Sequence, residues 1–302
     1  MNDSAPSTGT TSLNRVAAIE SEWRQTIRKN RLQTFAWVIL VSIILLASVE
    51  LSAVGKSSVD AGWTDRIASF VDRLIPDLKA DALFAGREVE GSLASWFYDM
   101  PRWLEAMRET VAMAFVGTVV GGLMALGLSF QAAANLNRNA FLRHTVRRGF
   151  DAARTIPDVI LALIFAAAFS LGAVAGVLTI IITTMGSLGK LFSECMENAE
   201  MRQVEAIEAA GGNRLLQLRF GILPQLLPQI LSYWLLRMEI NLSVAAALGI
   251  VGAGGIGMEL ERAISFTEFD TYLAILILIV LCIFVIDLVS EKLRHRLIGL
   301  TQ

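Results

Sequence analysis

Four polar side chains at two-residue intervals interrupt an apolar stretch that runs from Ile222 to about Gly249. They are Arg237, Glu239, Asn241 and Ser243. Charges at membrane depth are costly, so they normally face a partner or a water-filled path. A guanidinium group suits a phosphate-like oxyanion, because its planar fork donates two hydrogen bonds at once.

Two interpretations of this group stay open: its members line a substrate path, or they neutralise one another and stabilise packing. We hypothesise that Arg237 helps an anion through. Asp158 is a weaker candidate for the same path. It lies in the first turn of another apolar stretch, where an acid often serves only as a partner of the helix dipole.

Residues for covalent or metal chemistry are scarce. His144 and His295 are the only histidines, and both lie in basic stretches. Cys195 and Cys282 are far apart in sequence, which favours two buried free thiols over a disulfide or a metal pair. We therefore expect neither a metal site nor a Ser–His site, and no basic face with interleaved aromatics indicates nucleic-acid binding.

Two stretches with glycines resemble nucleotide-binding motifs, but neither meets the requirements of such a site. "GAGGIG" at 252–257 satisfies G-x-G-x-x-G, but it lies between two apolar stretches and not between a strand and a helix. We expect a flexible, closely packed backbone near the outer mouth instead. "GSLGKLFS" at 186–193 has the wrong Gly–Lys spacing for a Walker A sequence. ATP hydrolysis by this chain is therefore not expected.

Apolar helices must position these residues. Of the 302 residues, 54% are hydrophobic and only 18% are charged, which indicates an integral membrane protein. About 20 apolar residues cross a ~30 Å hydrocarbon core. The sequence predicts an all-α fold with six transmembrane helices, at 35–54, 110–134, 156–171, 175–191, 222–249 and 272–289.

Basic residues predict that both termini lie in the cytoplasm. Segment 1–34 ends in a basic cluster, lacks a cleavage site and precedes the first span, and the tail 291–302 is basic as well. The apolar stretch 156–189 is too long for one span, so we divide it near Gly172 and Gly176. This division leaves residues 198–221 on the cytoplasmic side of a core that spans 110–290.

The polar insertion 55–109 is expected outside the cytoplasm. Large apolar residues recur at helical spacing in two groups, one from Trp63 to Leu78 and one from Trp96 to Met107. Trp-rich amphipathic helices of this kind usually lie in the membrane interface with the aromatic face toward lipid. An ordinary helical elbow between spans is an equally good interpretation.

The segment 198–221 is charged, although apolar stretches flank it. Six residues at intervals of three or four would share one face of a helix: Val204, Ile207, Gly211, Leu215, Leu218 and Ile222. The pair Gly211–Gly212 should end or bend the first helical piece, and Pro224 should stop the helical ladder again. A short helix with one apolar and one charged face suits insertion into a groove on another subunit.

This stretch resembles the cytoplasmic "EAA" motif of ABC importer permeases, in which Glu-Ala-Ala is followed by a glycine and later by Ile-x-Leu-Pro. Glu205, Ala206, Gly211, Leu223 and Pro224 match that motif, whereas Ile207 replaces its second alanine. Gly221 falls at the isoleucine position of the motif. The resemblance implies a coupling helix that docks into a cleft of an ATP-hydrolysing subunit.

Four blocks between residues 105 and 298 resemble the phosphonate-type permeases. They are "ARTIPDVILALIF", "AGVLTIIITTMGSLGKLFSE", "VEAIEAAGGNRLLQLRFGILPQLLPQILSYWLLRMEIN" and "LGIVGAGGIG". Two positions depart from that pattern: Asn241-Leu242-Ser243 replaces Asn-Val-Arg, and Leu171-Gly172-Ala173 replaces Leu-Gly-Pro. The first departure bears on anion specificity, because an arginine that could bind an anion is replaced by Ser243.

The resemblance implies a type I ABC importer that takes up phosphonate, phosphite or phosphate by alternating access in the bacterial inner membrane. Two permease chains, identical or related, would work with two ATP-binding subunits and an external substrate-binding protein. ATP and Mg²⁺ would bind the partner subunits, and this chain would need no cofactor. Two alternatives stay open: an ABC permease for methionine or another small solute, and an ion-driven secondary transporter.

Overall fold

A computed structural model describes residues 23, 27, 29–31, 33–48 and 62–299. The chain divides into two compact units, Met1–Phe70 and Val71–Gln302. The first unit contains α1 (Lys29–Ser48), a 20-residue apolar helix. Most of segment 1–34, residues 49–54 of the predicted first span and residues 300–302 of the tail lie outside the described residues.

Every regular element in the described residues is a helix, as predicted. After α1 the helices are α2 (Trp63–Leu74), α3 (Leu93–Trp96), α4 (Met100–Ala132), α5 (Ala140–Thr155), α6 (Asp158–Phe169), α7 (Ala173–Glu197), α8 (Met201–Ala209), α9 (Arg214–Leu216), a π-helix (Gln217–Ile222), α10 (Leu223–Gly249), α11 (Ile256–Ser265) and α12 (Phe269–Gly299).

Four of the described helices are long and apolar enough to cross a membrane: α1, α4, α7 and α12. A fifth span results if the bent pair α5–α6 is counted as one. Helix α10 has 27 residues but falls short in composition, because it carries Arg237, Glu239 and Asn241. Length and composition therefore give four or five spans and not the predicted six.

The predicted division of the stretch 156–189 into two helices is confirmed at Gly172, whereas Gly176 lies buried inside the second helix. Helix α6 ends at Phe169 and α7 begins at Ala173. Between them Ser170 and Gly172 have positive φ angles of 78° and 140°. This tight reversal returns the chain into the bundle.

Helix α5 (Ala140–Thr155) occupies the interval between the second and third predicted spans, where the sequence analysis predicted no helix. It meets α6 at an angle of 89°. Ile156 and Pro157 are extended at the bend, as expected because a proline disfavours helical geometry in the residue before it. Helix α6 has only 12 residues, about 18 Å of helix, so it cannot cross a ~30 Å core alone.

Helix α7 lies at the centre of the bundle and packs against α4, α5, α6 and α10. Glycines on α4 allow this packing. A Cβ at Gly117 would lie 2.5 Å from Ile180 Cγ2, and one at Gly121 would lie 2.7 Å from the carbonyl oxygen of Ile181. The helices thus approach to a distance that a larger residue would prevent.

Helix α4 begins at Met100, before the predicted start of the second span at residue 110. Trp103 and Met107 are therefore buried, 2% and 6% exposed, in a cluster with α11 and α12. A lipid-facing position is wrong for these two residues. Helical spacing identifies an apolar face, but it does not distinguish lipid from protein as the neighbour of that face.

Candidate functional site

The predicted coupling segment forms a helical hairpin. Its first arm, α8, ends in two backbone hydrogen bonds, from Gly212 N to Ile207 O and from Gly211 N to Glu208 O, both 2.9 Å. These are the bonds of a Schellman motif. Gly211 takes the left-handed conformation that the motif requires, with φ = 80°. The glycine pair thus ends the helix, as the sequence predicted.

The second arm begins where the Asn213 side chain accepts a hydrogen bond from Leu216 N at 3.0 Å. It continues through α9 into the π-helix, where Leu223 N donates to Leu218 O, five residues earlier. The chain then enters α10 at Leu223. Pro224 does not end the helix, but it cannot donate a ladder bond. π-helices are rare and occur frequently at functional sites.

The two arms pack closely at Gly221. A Cβ there would lie 3.2 Å from Val204 Cγ2 and 3.3 Å from Ile207 Cδ1. Val204 and Ile222 are buried, and Leu218 packs against the same cluster of α4, α7 and α10 residues. These apolar residues therefore hold the hairpin to the bundle.

The single apolar docking face that the sequence suggested is not formed, because the chain reverses between α8 and the π-helix. Leu215 is separated from the inward-facing residues and is 72% exposed, whereas Ile207 is half-buried within the chain. The outer surface carries Glu205, Ala206, Gly211 and Pro224, all exposed, while Leu223 is half-buried.

Arg237 is half-buried on α10. Its Nη2 donates to Thr183 Oγ1 of α7 at 3.4 Å. Its Nε is buried and has no hydrogen-bond partner among the described residues. The half-buried Asp158 of α6 acts electrostatically on the guanidinium. The structure thus brings these two predicted path residues into electrostatic range, with donor capacity left over on Arg237.

Glu239 faces another way. Its Oε1 lies 2.5 Å from Nη2 of Arg294 on α12, and the two side chains are 14% and 28% exposed. This contact favours structural pairing for Glu239. It also gives Arg294, which the sequence presented as a mark of the cytoplasmic side, a partner inside the bundle.

Asn241 is fully buried and joins three helices. Its Nδ2 donates to Thr118 Oγ1 of α4 and to Thr184 Oγ1 of α7, each at 2.7 Å. Ser243 is exposed. Arg237 and Asn241 are four residues apart and both face α7, whereas Glu239 faces α12, so the four polar residues do not form one cluster.

Sequence reasoning did not single out Thr118, Thr183 or Thr184, which receive the polar groups of α10. The sequence feature that could have identified them is a hydroxyl side chain within an apolar helix. That signal is weak, because a threonine often bonds to its own helix, as Thr118 does with Ala114 O at 2.6 Å.

The glycine-rich loop 250–255 closes the opposite end of the bundle. Gly252, Gly254 and Gly255 have positive φ angles. Gly172 N donates to Gly252 O at 2.8 Å, and Thr110 Oγ1 of α4 accepts from Ile256 N at 2.8 Å. Glu109 accepts from Gly255 N at 3.3 Å. The loop is closely packed between α4 and the α6–α7 turn.

Residues 117–299 match the family described as binding-protein-dependent transport system inner membrane component. The phosphite transport system permease protein PtxC of Stutzerimonas stutzeri is 33% identical over 194 residues, which cover 64% of this chain and 70% of the relative. The phosphate-import permease protein PhnE of Mycolicibacterium smegmatis is 33% identical over 193 residues, 64% of this chain and 36% of the relative.

Solved structures share the fold. A chain of the methionine ABC transporter MetNI in an inward-facing conformation matches with a TM-score of 0.59 and 21% identity, covering 66% of this chain and 97% of that one. A chain of a bacterial ABC transporter for alginate matches with a TM-score of 0.58 and 15% identity, covering 86% and 98%.

Proposed function

Because the chain belongs to the family of binding-protein-dependent transport system inner membrane components, we propose that it imports phosphite, phosphate or a related phosphorus oxyanion such as phosphonate. The relatives named for phosphite and phosphate transport support this substrate class. In the proposed assembly, two permease chains surround the path, two partner subunits bind ATP and Mg²⁺, and an external binding protein delivers the anion.

The observation that carries the proposal is the exposed hairpin at one end of the bundle. Glu205, Ala206 and Gly211 lie on its outer surface, where a cleft of an ATP-binding subunit can receive them. Its apolar residues Val204 and Ile222 are buried in the bundle, so a force on the hairpin reaches α10 directly. We therefore propose this end as the cytoplasmic one and loop 250–255 as the external one.

Arg237 is the residue we propose for contact with the passing anion. Its unpaired Nε and long bond to Thr183 leave donors for an oxyanion. Asp158 balances its charge when no anion is present. Asn241 and Glu239 support the path by holding α10 to its neighbours, and Ser243, which is exposed, is free to face the path or the second permease.

The test is ATP hydrolysis and uptake by the reconstituted assembly, with its binding protein, in the presence of phosphonates, phosphite, phosphate or methionine. We expect stimulation by a phosphorus oxyanion and its loss in Glu205→Lys. The control Glu105→Lys reverses a 76% exposed side chain on α4 and should leave activity unchanged. Stimulation by methionine alone would discard the substrate class, and uptake that follows an ion gradient without ATP would discard the importer.

Arg237→Gln tests the path separately. Glutamine keeps a hydrogen-bond donor but removes the charge, so we expect slower uptake of the oxyanion with normal assembly. Unchanged uptake by the folded variant would remove Arg237 from the path and leave the rest of the proposal standing.

A further inference from the structure

Gln225, in the first turn of α10, hydrogen-bonds to the backbone of both arms of the hairpin. Its Oε1 accepts a hydrogen bond from Glu200 N at 3.1 Å. Its Nε2 donates to Gly221 O at 2.7 Å and to Glu200 O at 3.4 Å. One carboxamide thus bonds both backbone groups of Glu200, the N-cap residue of α8, and the last turn of the π-helix.

These bonds bridge a part of the chain whose backbone is poorly suited to transmit force. From α8 to α10 the chain passes the left-handed turn at Gly211 and the six-residue π-helix. It then meets Pro224 and Pro228, which have no N–H for the helical ladder. Interrupted ladders of this kind are the places where helices bend.

The path from α8 to α10 through side-chain contacts is shorter than the path along the backbone. Helix α8 contacts the π-helix at Gly221, where Val204 and Ile207 approach closely, and the Gln225 carboxamide lies beside this contact. The apolar contact is non-directional, whereas the hydrogen bonds fix the register of α8 along α10.

We propose that Gln225 is a positioning residue that makes α8 and α10 move as one body, so that displacement of the hairpin reaches the polar residues of α10. The inference rests on the proposed coupling function of the hairpin. Gln225 lies one residue past the motif that identified the hairpin, and its side-chain hydrogen bonds among the described residues go to Glu200 and Gly221.

The experiment uses the complete reconstituted transporter and measures uptake per ATP hydrolysed. Gln225→Leu removes all three hydrogen bonds. Gln225→Glu keeps the length and an acceptor for Glu200 N but removes the donor to Gly221 O and to Glu200 O. The matched control is Gln229→Leu, one turn along the same helix. Within the part of the chain that the structure describes, the Gln229 amide hydrogen-bonds only to the Tyr233 hydroxyl, at 3.3 Å.

We expect uptake per ATP to fall about tenfold in Gln225→Leu, the factor that corresponds to one or two net hydrogen bonds, with a smaller fall in Gln225→Glu. ATP hydrolysis should persist in both variants, and Gln229→Leu should match the wild type. Spin labels at Glu208→Cys on α8 and Leu236→Cys on α10, with the native cysteines replaced by alanine, should keep one distance through the nucleotide cycle. In Gln225→Leu the distribution of distances between the two labels should broaden.

Unchanged coupling and an unchanged label distance in both Gln225 variants would overturn the inference while the proposed function stands. Failure of both variants to assemble, with Gln229→Leu intact, would assign Gln225 to folding and also overturn it. If the wild-type assembly shows no ATP-dependent uptake, the proposed function falls, and the inference falls with it.

Discussion

Glu239 of α10 and Arg294 of α12 form an ion pair with an Oε1–Nη2 distance of 2.5 Å. Both side chains are largely buried, 14% and 28% exposed. The pair lies one helical turn or less from Arg237 and Asn241, so it fixes α10 next to the residues that we assign to the path and to the interhelical hydrogen bonds.

Removal of one partner of this pair should destabilise the bundle more than removal of both. Arg294→Met leaves the Glu239 carboxylate unpaired, and we expect a loss of about 1–3 kcal/mol, between the values for exposed and buried pairs. The double variant Glu239→Gln/Arg294→Met should recover part of that loss. Thermal unfolding of the purified protein in detergent measures both, and equal losses in the single and double variants would contradict the pairing.

Asn241→Leu should loosen the contact of α10 with α4 and α7. Two interhelical hydrogen bonds are lost, and bonds of this kind contribute about 0.6 kcal/mol on average and at most about 1.7 kcal/mol each. We expect Thr184→Val, which removes one of the two, to lower the unfolding temperature by about half as much. A larger effect of Thr184→Val than of Asn241→Leu would refute this account.

Gly122 and Gly127 on α4 provide a matched pair. A Cβ at Gly122 would overlap the indole ring of Trp234, whereas a Cβ at Gly127 would meet no heavy atom within 4 Å. We expect Gly122→Ala to destabilise by about 1–3 kcal/mol through overpacking. Gly127→Ala should be neutral or slightly stabilising, because alanine is the better helix former. Unfolding in detergent distinguishes the two, and similar stabilities would contradict the close approach of α4 and α10.

Substitutions at Gly211 distinguish the effect of backbone strain from the effect of side-chain size. Its φ is 80°, and a Cβ at this position would meet no heavy atom within 4 Å, so there is room for any side chain but not the conformation. Gly211→Val should cost about 1–2 kcal/mol locally and lower uptake per ATP, whereas Gly211→Asn should be tolerated, because asparagine adopts this region readily. If valine and asparagine behave alike in the transport assay, the turn does not need the left-handed conformation.

Apolar stretches predicted the helices, and glycines predicted two of the breaks between them. The turn at Gly172 and the helix end at Gly211–Gly212 follow from backbone conformations that other residues rarely adopt, so local sequence is sufficient for them. The sequence did not predict helix α5, because the evidence for it is not local. Its arginines suggest a loop, and its buried residues Phe150 and Ala153 become informative only once α7 is in place.

The polar residues of α10 were found from sequence because each is conspicuous in an apolar stretch. Their partners were not found, because Thr118 and Arg294 are more than 50 residues away in the chain and pairing over such distances has no local signal. The docking face was overestimated for a related reason. Helical spacing was extended across a turn, so Leu215 was grouped with residues that face inward.

The π-helix lets the chain hold one extra residue before α10 and so sets the direction in which the hairpin points. A π-helical turn holds one residue more than an α-helical turn, and each residue of an α-helix advances the chain by about 100°. Deletion of one residue within Gln217–Ile222 would let the ladder return to α-helical register. The five-residue step of a π-turn covers about the same angle as the four-residue step of an α-turn, so this deletion would leave Glu205 pointing in nearly the same direction. If the ladder became α-helical with every residue kept, the hairpin would instead turn by roughly 100° about the axis of α10.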